Sequence, residues 1–332
     1  MYGDKEMNLS ELFLPVYKER LEEAIDSRSL FIRYTGYDRI LDMVKFSAMP
    51  MSHISRMNDN LEITYGADAI IDAFTMSKER ANALNEIFIQ YCPGHKFTEP
   101  LVGIREWLSR VKNQLLHHTN IVSFCQLRTM FIGKGATAAC LAELQDGCSL
   151  MWQSYGKAKS AAIVFDLLGA DAGECSRLGK INVDFSPVSY LSKQEIANTI
   201  DLVLERTKQN LEEKKCVCGE QLNNWLTYAL VLAMASIKHP AFHHEREWRL
   251  IHFSPNGGIR KMEHNGHEAY EIPLWNRGNF GGLSLQENFK KVILFPYKGA
   301  IEDKETLVNL LEEHDVEDAE QKVVVSQIPL VV

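Results

Sequence analysis

Apolar residues recur at helical spacing over residues 8–26, and residues 27–35 then take on the alternation of a strand. Asp38 is placed to cap a short helix with Ile40, Leu41 and Val44 on its apolar face; residues 48–51 read as extended and 55–62 as a polar turn. Residues 67–116 have a helical pattern, broken at Pro93, Gly94 and Pro100, that leads into a strand at 121–125. Small residues over 133–147 predict a loop or frayed helix, followed by a short helix at 149–155 and strands at 161–165 and 181–190. Residues 192–238 form a long helical stretch interrupted near Gly219, and 247–253 is a strand that a turn at Asn256, Gly257 and Gly258 joins to a hairpin partner. A strand at 292–295, a helix at 304–314 and a strand at 323–326 close the chain. No repeat, low-complexity tract or linker interrupts this order, so it predicts one α+β domain over 1–332 with 192–240 as a helical insertion.

Composition changes this picture little. With 332 residues, 45% hydrophobic and 24% charged, the chain is long enough to bury a core unaided and has no signature of disorder or coiled coil. A net charge of -8 supplies no overall basic field for nucleic acid or an anionic membrane. No run reaches the roughly 18 apolar residues of a membrane span, and the charged start predicts neither export nor insertion. Cysteines 92, 125, 140, 148, 175, 216 and 218 are odd in number and scattered, which points to a reducing compartment and a cytoplasmic protein. Cys92 with His95 and Cys216 with Cys218 have the look of metal half-sites, but neither has a second pair at finger-like distance, so no metal site is assigned.

Several short motifs occur in a particular order: Arg33, Tyr34 and Thr35; Asn58, Asp59 and Glu62; Ser123 and Phe124; Met151, Trp152 and Tyr155; Glu245, Arg246, Glu247, Trp248 and Arg249; and residues 323–326 with Ile328 and Pro329. In order and spacing they resemble the bacterial domain-of-unknown-function 2971 family over nearly the whole chain, with Asn60 standing where many members have proline. More distantly the order resembles the ADP-ribosyltransferase superfamily: an arginine on the first strand, an aromatic on a central strand, a short helix ending in tyrosine, and a glutamate opening a late strand. That resemblance implies an ADP-ribosyltransferase-like mixed sheet with a helical hairpin insertion and peripheral helices. It also implies NAD as substrate and glycosyl transfer to a nucleic-acid or protein acceptor. A toxin or phage-defence role, with an antitoxin-like partner protein, would fit.

The residues themselves leave alternatives open. Arg33 at a strand end suits a pyrophosphate or ribose oxygen, or an ion pair with Asp38 or Glu62. Asn58, Asp59 and Glu62 suit a cation or a ribose, or simply a turn. Ser123, Phe124, Trp152 and Tyr155 offer an aromatic wall with hydroxyls, or ordinary core; by the resemblance Tyr155 stacks on nicotinamide. Strand alternation places Glu245 and Glu247 on one face, and the resemblance makes Glu247 the group stabilising an oxocarbenium ion with Glu245 nearer the acceptor. The competing role for that pair is an ion-pair ladder with Arg246 and Arg249. His239 and His243 have helical metal-pair spacing that Pro240 disrupts. Two function classes follow: an NAD-dependent transferase, or a non-catalytic module that binds a nucleotide or partner. A nuclease using Asp59, Glu62, Glu245 and Glu247 has no recognisable motif behind it.

Overall fold

The strand-like runs of the sequence meet in one sheet. The computed structural model describes residues 16–56, 60–127, 138–155, 159–168, 178–214, 219–255, 261–264, 267–275 and 281–329. Among these residues the main sheet has 11 strands. Its path is β11 (Leu283–Ser284), β10 (His267–Trp275), β2 (Ala48–His53), β3 (Thr119–Gln126), β1 (Phe31–Gly36), β4 (Ser160–Phe165), β12 (Phe289–Leu294) and β13 (Val323–Val325). β8 (Glu247–Phe253) pairs with β3 and with β5 (Asp184–Pro187), and β9 (Lys261–His264) pairs with β10. β6 (Ser189–Tyr190) and β7 (Ile237–Lys238) form a separate parallel pair. Within the main sheet β10 with β11 and β12 with β13 are also parallel, so the protein is a mixed α/β structure on an open mixed sheet.

β3 forks the sheet. One edge pairs with β8 along its length, from Thr119 opposite Phe253 to Cys125 opposite Glu247. Its other edge is shared, with β2 registering at Asn120 and Ile121 and β1 at Cys125 and Gln126. In the gap the Ser123 carbonyl accepts a hydrogen bond from Arg33 Nη1 at 3.2 Å, so a side chain supplies the donor that a strand would otherwise provide.

The helices, in chain order, are α1 (Tyr17–Asp26), α2 (Tyr37–Lys45), α3 (Asn60–Thr75), α4 (Lys78–Tyr91), α5 (Pro100–His118), α6 (Ala138–Asp146), α7 (Ser149–Tyr155), α8 (Lys193–Lys214), α9 (Glu220–Ala235), α10 (Ala300–Glu313) and α11 (Ala319–Lys322). α3, α4, α5, α8 and α9 share one apolar core with Ile121, Ile251 and Phe253 on one sheet face. α9 has no polar stripe along its second half: every residue from Ala229 to Ala235 is buried, as expected of a helix enclosed by others. α3 approaches it closely at Gly66, where a Cβ would lie 2.8 Å from the Met234 carbonyl. Residues 192–240 are therefore continuous with the helical layer of 60–118. Phe31, Phe124, Trp248 and Leu250 point to the opposite face, into a second core with α2, and Ile32, Cys125, Trp152 and Ile293 build a third, smaller one.

Several boundaries differ from the sequence expectation for local reasons. Gly36, not Asp38, precedes α2. The polar turn is shorter than expected because α3 already includes residue 62. Pro100 begins a helix, at the position where its missing N–H costs nothing. Asn182 takes a positive φ of 53°, so the strand at 181–190 reduces to β5 and β6. β9 pairs with β10 and not with β8, so the hairpin expected across 256–258 does not form between its flanking strands. Residues 256–258, the start of the first helix at 8–15, and Asn58, Asp59, Cys175, Cys216 and Cys218 lie outside the described residues. No described helix is long and apolar enough to cross a membrane.

Trp248 holds the second core together: it is fully buried, stacks on Phe185 at 4.8 Å and meets Phe31 edge-on at 5.3 Å, with its indole N–H on Gln126 Oε1. Trp248→Ala should lower the urea-unfolding free energy by about 3–5 kcal/mol, and Trp248→Phe by less, because the larger cavity loses more contacts.

Candidate functional site: a buried carboxylate network

The first residue of β8 carries a buried, fully paired charge. Glu247 is 4% exposed and accepts from Arg249 Nε at 2.7 Å and Nη2 at 2.9 Å. The two residues are next but one on a strand, so their side chains share a face and meet as a two-pronged ion pair. Arg249 also donates to the Ala235 carbonyl at the C-terminus of α9, where helix geometry leaves carbonyls unpaired and cations are favoured. The Glu247 backbone N–H is taken by the Tyr190 hydroxyl at 2.7 Å. Burial on its own would raise the Glu247 pKa, but Arg249 first, then Lys238 and the nearby Ser123 hydroxyl, bring it down to about 2. The hydroxyl contributes by proximity, since it meets no full hydrogen-bond geometry.

Glu245 reaches the same point by another route. It does not lie on the strand as alternation predicts. It ends a 3-10 turn, Pro240–Glu245, and Arg246 follows in the left-handed conformation with φ 46°, which breaks the extended run before Glu247. Lys238 reunites the two carboxylates: its ammonium lies 2.5 Å from Glu245 Oε2 and 3.4 Å from Glu247 Oε2, and the side chain is 2% exposed. Tyr155, at the end of α7 and 43% exposed, donates to Glu245 Oε1 at 3.3 Å. Arg246 turns away to pair with Glu143 at 2.8 Å. The expected ladder is thus half realised, with Arg249 on Glu247 and Arg246 on a different helix.

The remaining expected site residues divide between the two sheet faces. Strand register puts Tyr34 and Ser123 on the Glu247 face, and Arg33, Thr35 and Phe124 on the other. Phe124 and Trp152 are core residues of different clusters. Trp152 donates to the Asp146 carbonyl and meets Tyr34 edge-on at 4.9 Å. The Tyr34 hydroxyl accepts the Cys148 N–H, and burial pushes its pKa up. Thr35 is buried opposite Ala161. Arg33 does not pair with Asp38, which is engaged by Lys159. Burial, with Arg39 nearby, lowers its pKa to about 10, which leaves it charged at neutral pH. Asn58 lies outside the described residues, as does the side chain of Glu62. Sequence reasoning overlooked Lys238 and Tyr190; the available signal for Lys238 was a lone charge ending the apolar run of residues 229–237.

The arrangement is chemically quiet at its centre, and at its edge Tyr155 is exposed while Glu245 is buried against Lys238. Cys125, beside both glutamates, has its thiol pKa raised by burial and then by those charges, the opposite of what a thiolate nucleophile needs. NAD laid across Arg33, Phe124, Tyr155 and Glu247 would require groups from both faces of the sheet at once, so these four do not converge on one ligand. A surface depression of about 350 Å³, lined by Phe97, Glu99 and Glu106, involves none of the network. Among the described residues no group of three or more metal-ligating side chains gathers.

The chain is similar to the family described as protein of unknown function (DUF2971) over residues 151–250. This stretch runs from Met151 to Leu250 and includes Tyr155, Lys238, Glu245, Glu247 and Arg249, so the network lies almost wholly within it. The match is narrower than the whole-chain likeness expected from the motifs, which leaves Arg33, Asn58 and Ser123 outside, and no comparison links the chain to the ADP-ribosyltransferases. No curated protein and no solved structure matches the chain.

Because Arg249 neutralises a buried carboxylate, Arg249→Met should cost about 3–5 kcal/mol by leaving Glu247 uncompensated, and adding Glu247→Leu should restore most of that in urea titrations. Folding lowers the Glu247 pKa from 4.5 to about 2. The stability this contributes is full above pH 4.5 and drains away as pH falls toward 2. Glu247→Gln should flatten that acid limb, a difference on the order of 3 kcal/mol in the wild type, measurable as unfolding free energy against pH.

Proposed function

We propose that the protein is a ligand-binding module whose site is the rim of this network, formed by Tyr155 and Glu245 on the Glu247 side of the sheet. One observation carries the reading. Both glutamates of the motif are already compensated within the protein, Glu247 by Arg249 and Lys238 and Glu245 by Lys238. A carboxylate neutralised by a two-pronged guanidinium has little field left for a developing oxocarbenium ion, whose stabilisation depends on charge aimed at the reacting atom. The same compensation fixes the geometry of the rim, and a fixed binding surface loses less freedom when it takes up a ligand. A carboxylate next to a phenol recognises vicinal hydroxyls, which favours the ribose of a nucleotide as the ligand class.

The transferase reading, with its ADP-ribosyltransferase-like fold, NAD as substrate and macromolecular acceptor, makes the opposite prediction on turnover. The protein should be incubated with NAD and free nicotinamide quantified by mass spectrometry, with NAD and ADP-ribose binding followed by calorimetry. Binding without nicotinamide release is expected, and Glu245→Gln should weaken it by about tenfold to a hundredfold, the range for a lost hydrogen bond to a charged group. Nicotinamide release above the protein-free rate would establish the transferase reading, and no binding of either nucleotide would remove the ribose assignment.

A further inference from the structure

Arg33 takes no part in the carboxylate network, because strand register turns it to the opposite face of the sheet. On that face lie Phe31 and the second core, and α2 packs across β1, β2 and β4. The guanidinium sits in the gap beside β3, where Nη1 donates to the Ser123 carbonyl at 3.2 Å. That bond uses one corner of a planar group. Nε, on the side away from Nη1, is closed to solvent and has no hydrogen-bond partner. Nη2 shares an edge with Nε and makes no hydrogen bond either, but it is not closed off. Arg80, Arg246 and Arg249 each meet a carboxylate at 2.7–2.8 Å. Among the described residues Arg33 meets none, and the acid nearest to it in sequence, Asp38, is held by Lys159 at 3.5 Å. The charge that does bear on Arg33 is a second cation: Arg39, in the first turn of α2, is exposed and has no ion pair among the described residues.

We propose that the Nε–Nη2 edge of Arg33, with Arg39 beside it, binds the phosphoryl group of a small ligand in the gap between β1 and β2. The two N–H groups of that edge are parallel, which is the arrangement that meets two oxygens of one oxyanion. A carboxylate would balance only one of the two arginines, whereas a phosphoryl group, with close to two negative charges at neutral pH, balances both. Nε–H is closed to water, so a group that settles into the gap is what can satisfy it, and Nη2 is the point of first contact. The bond to the Ser123 carbonyl fixes the guanidinium before a ligand arrives, which lowers the ordering cost of binding. Glu245 and Tyr155 lie on the Glu247 side of the sheet, so this site is independent of the ribose assignment there.

The test uses the full chain in phosphate-free buffer at constant ionic strength, titrated in the calorimeter with inorganic phosphate, with glycerol phosphate and with acetate. At least one of the two phosphoryl compounds should bind saturably at one per chain and raise the melting temperature, and acetate should bind at least tenfold more weakly. Arg33→Lys keeps the charge but removes the two-pronged edge, and should weaken phosphoryl binding by about tenfold to a hundredfold, the range for a lost hydrogen bond to a charged group. Arg33 also supports Ser123, so the exposed Arg39→Gln provides a second variant that keeps the fold, and it should weaken binding severalfold while leaving urea unfolding unchanged. Tighter binding of glycerol phosphate would assign the site to an organic ester, and tighter binding of inorganic phosphate to the free ion; either result upholds it. No saturable binding of either phosphoryl compound, acetate binding as tightly as phosphate, or affinity unchanged in both variants would each overturn the proposal.

Discussion

The pairing of Arg249 with Glu247 is the constraint on which the arrangement of helices and sheet turns. It joins the last carbonyls of α9, the first residue of β8 and, through Lys238, the turn that ends at Glu245, reinforcing the apolar contact that α9 already makes with Ile251 and Phe253. Two glutamates against one lysine and one arginine sum to no net charge, so the group can be buried as a unit although none of its members could be buried alone. Its position follows from the strand register. Ile121 and Ile251 belong to the helical core and Cys125 and Ile32 to the small third core, and the ions occupy the seam between them on the same face.

On the proposed function, that placement separates positioning from recognition. The deep members, Glu247 and Arg249, are fixed by two hydrogen bonds to each other and by backbone partners on either side, and they have no freedom to follow a ligand. Glu245, also buried, is held by Lys238, and Tyr155, which donates to it, is the member that reaches solvent. Substitution at the centre is thus expected to disturb the rim indirectly, whereas substitution of the exposed Tyr155 leaves the charge balance of the core intact.

The sequence made the elements legible where one period dominated. The alternating and fully apolar strands at 121–125, 161–165 and 247–253 appear within a residue or two of the expected bounds, and all join one sheet. Boundaries were misread where a single residue's conformation decided them, as with Asn182 and Arg246 in left-handed backbone, since side-chain periodicity contains no record of φ. The site was legible as a motif but not as a geometry. Glu245, Glu247 and Arg249 stood out, yet their relation runs through Lys238, whose role depends on where a helix 16 residues long happens to end. Arg33 and Phe124 looked like partners of Glu247 because order along the chain is visible in a sequence and the face of a strand relative to another strand is not.

The fork at β3 also bears on how the chain is made. β3 is complete as sequence once Gln126 has left the ribosome, but the strand that covers its whole edge ends at Phe253, so synthesis must advance by well over a hundred residues before the pair can close. In that interval only β2 and β1 can engage β3, each over two residues, and the opposite edge stays open with its donors and acceptors unpaired. An apolar, unpaired edge in a growing chain is a template for pairing with other chains. Arg33, placing a charge in the gap between β1 and β2, makes the shared edge a poor template, and the long-lived vulnerability of the nascent protein is then concentrated on the side that waits for β8.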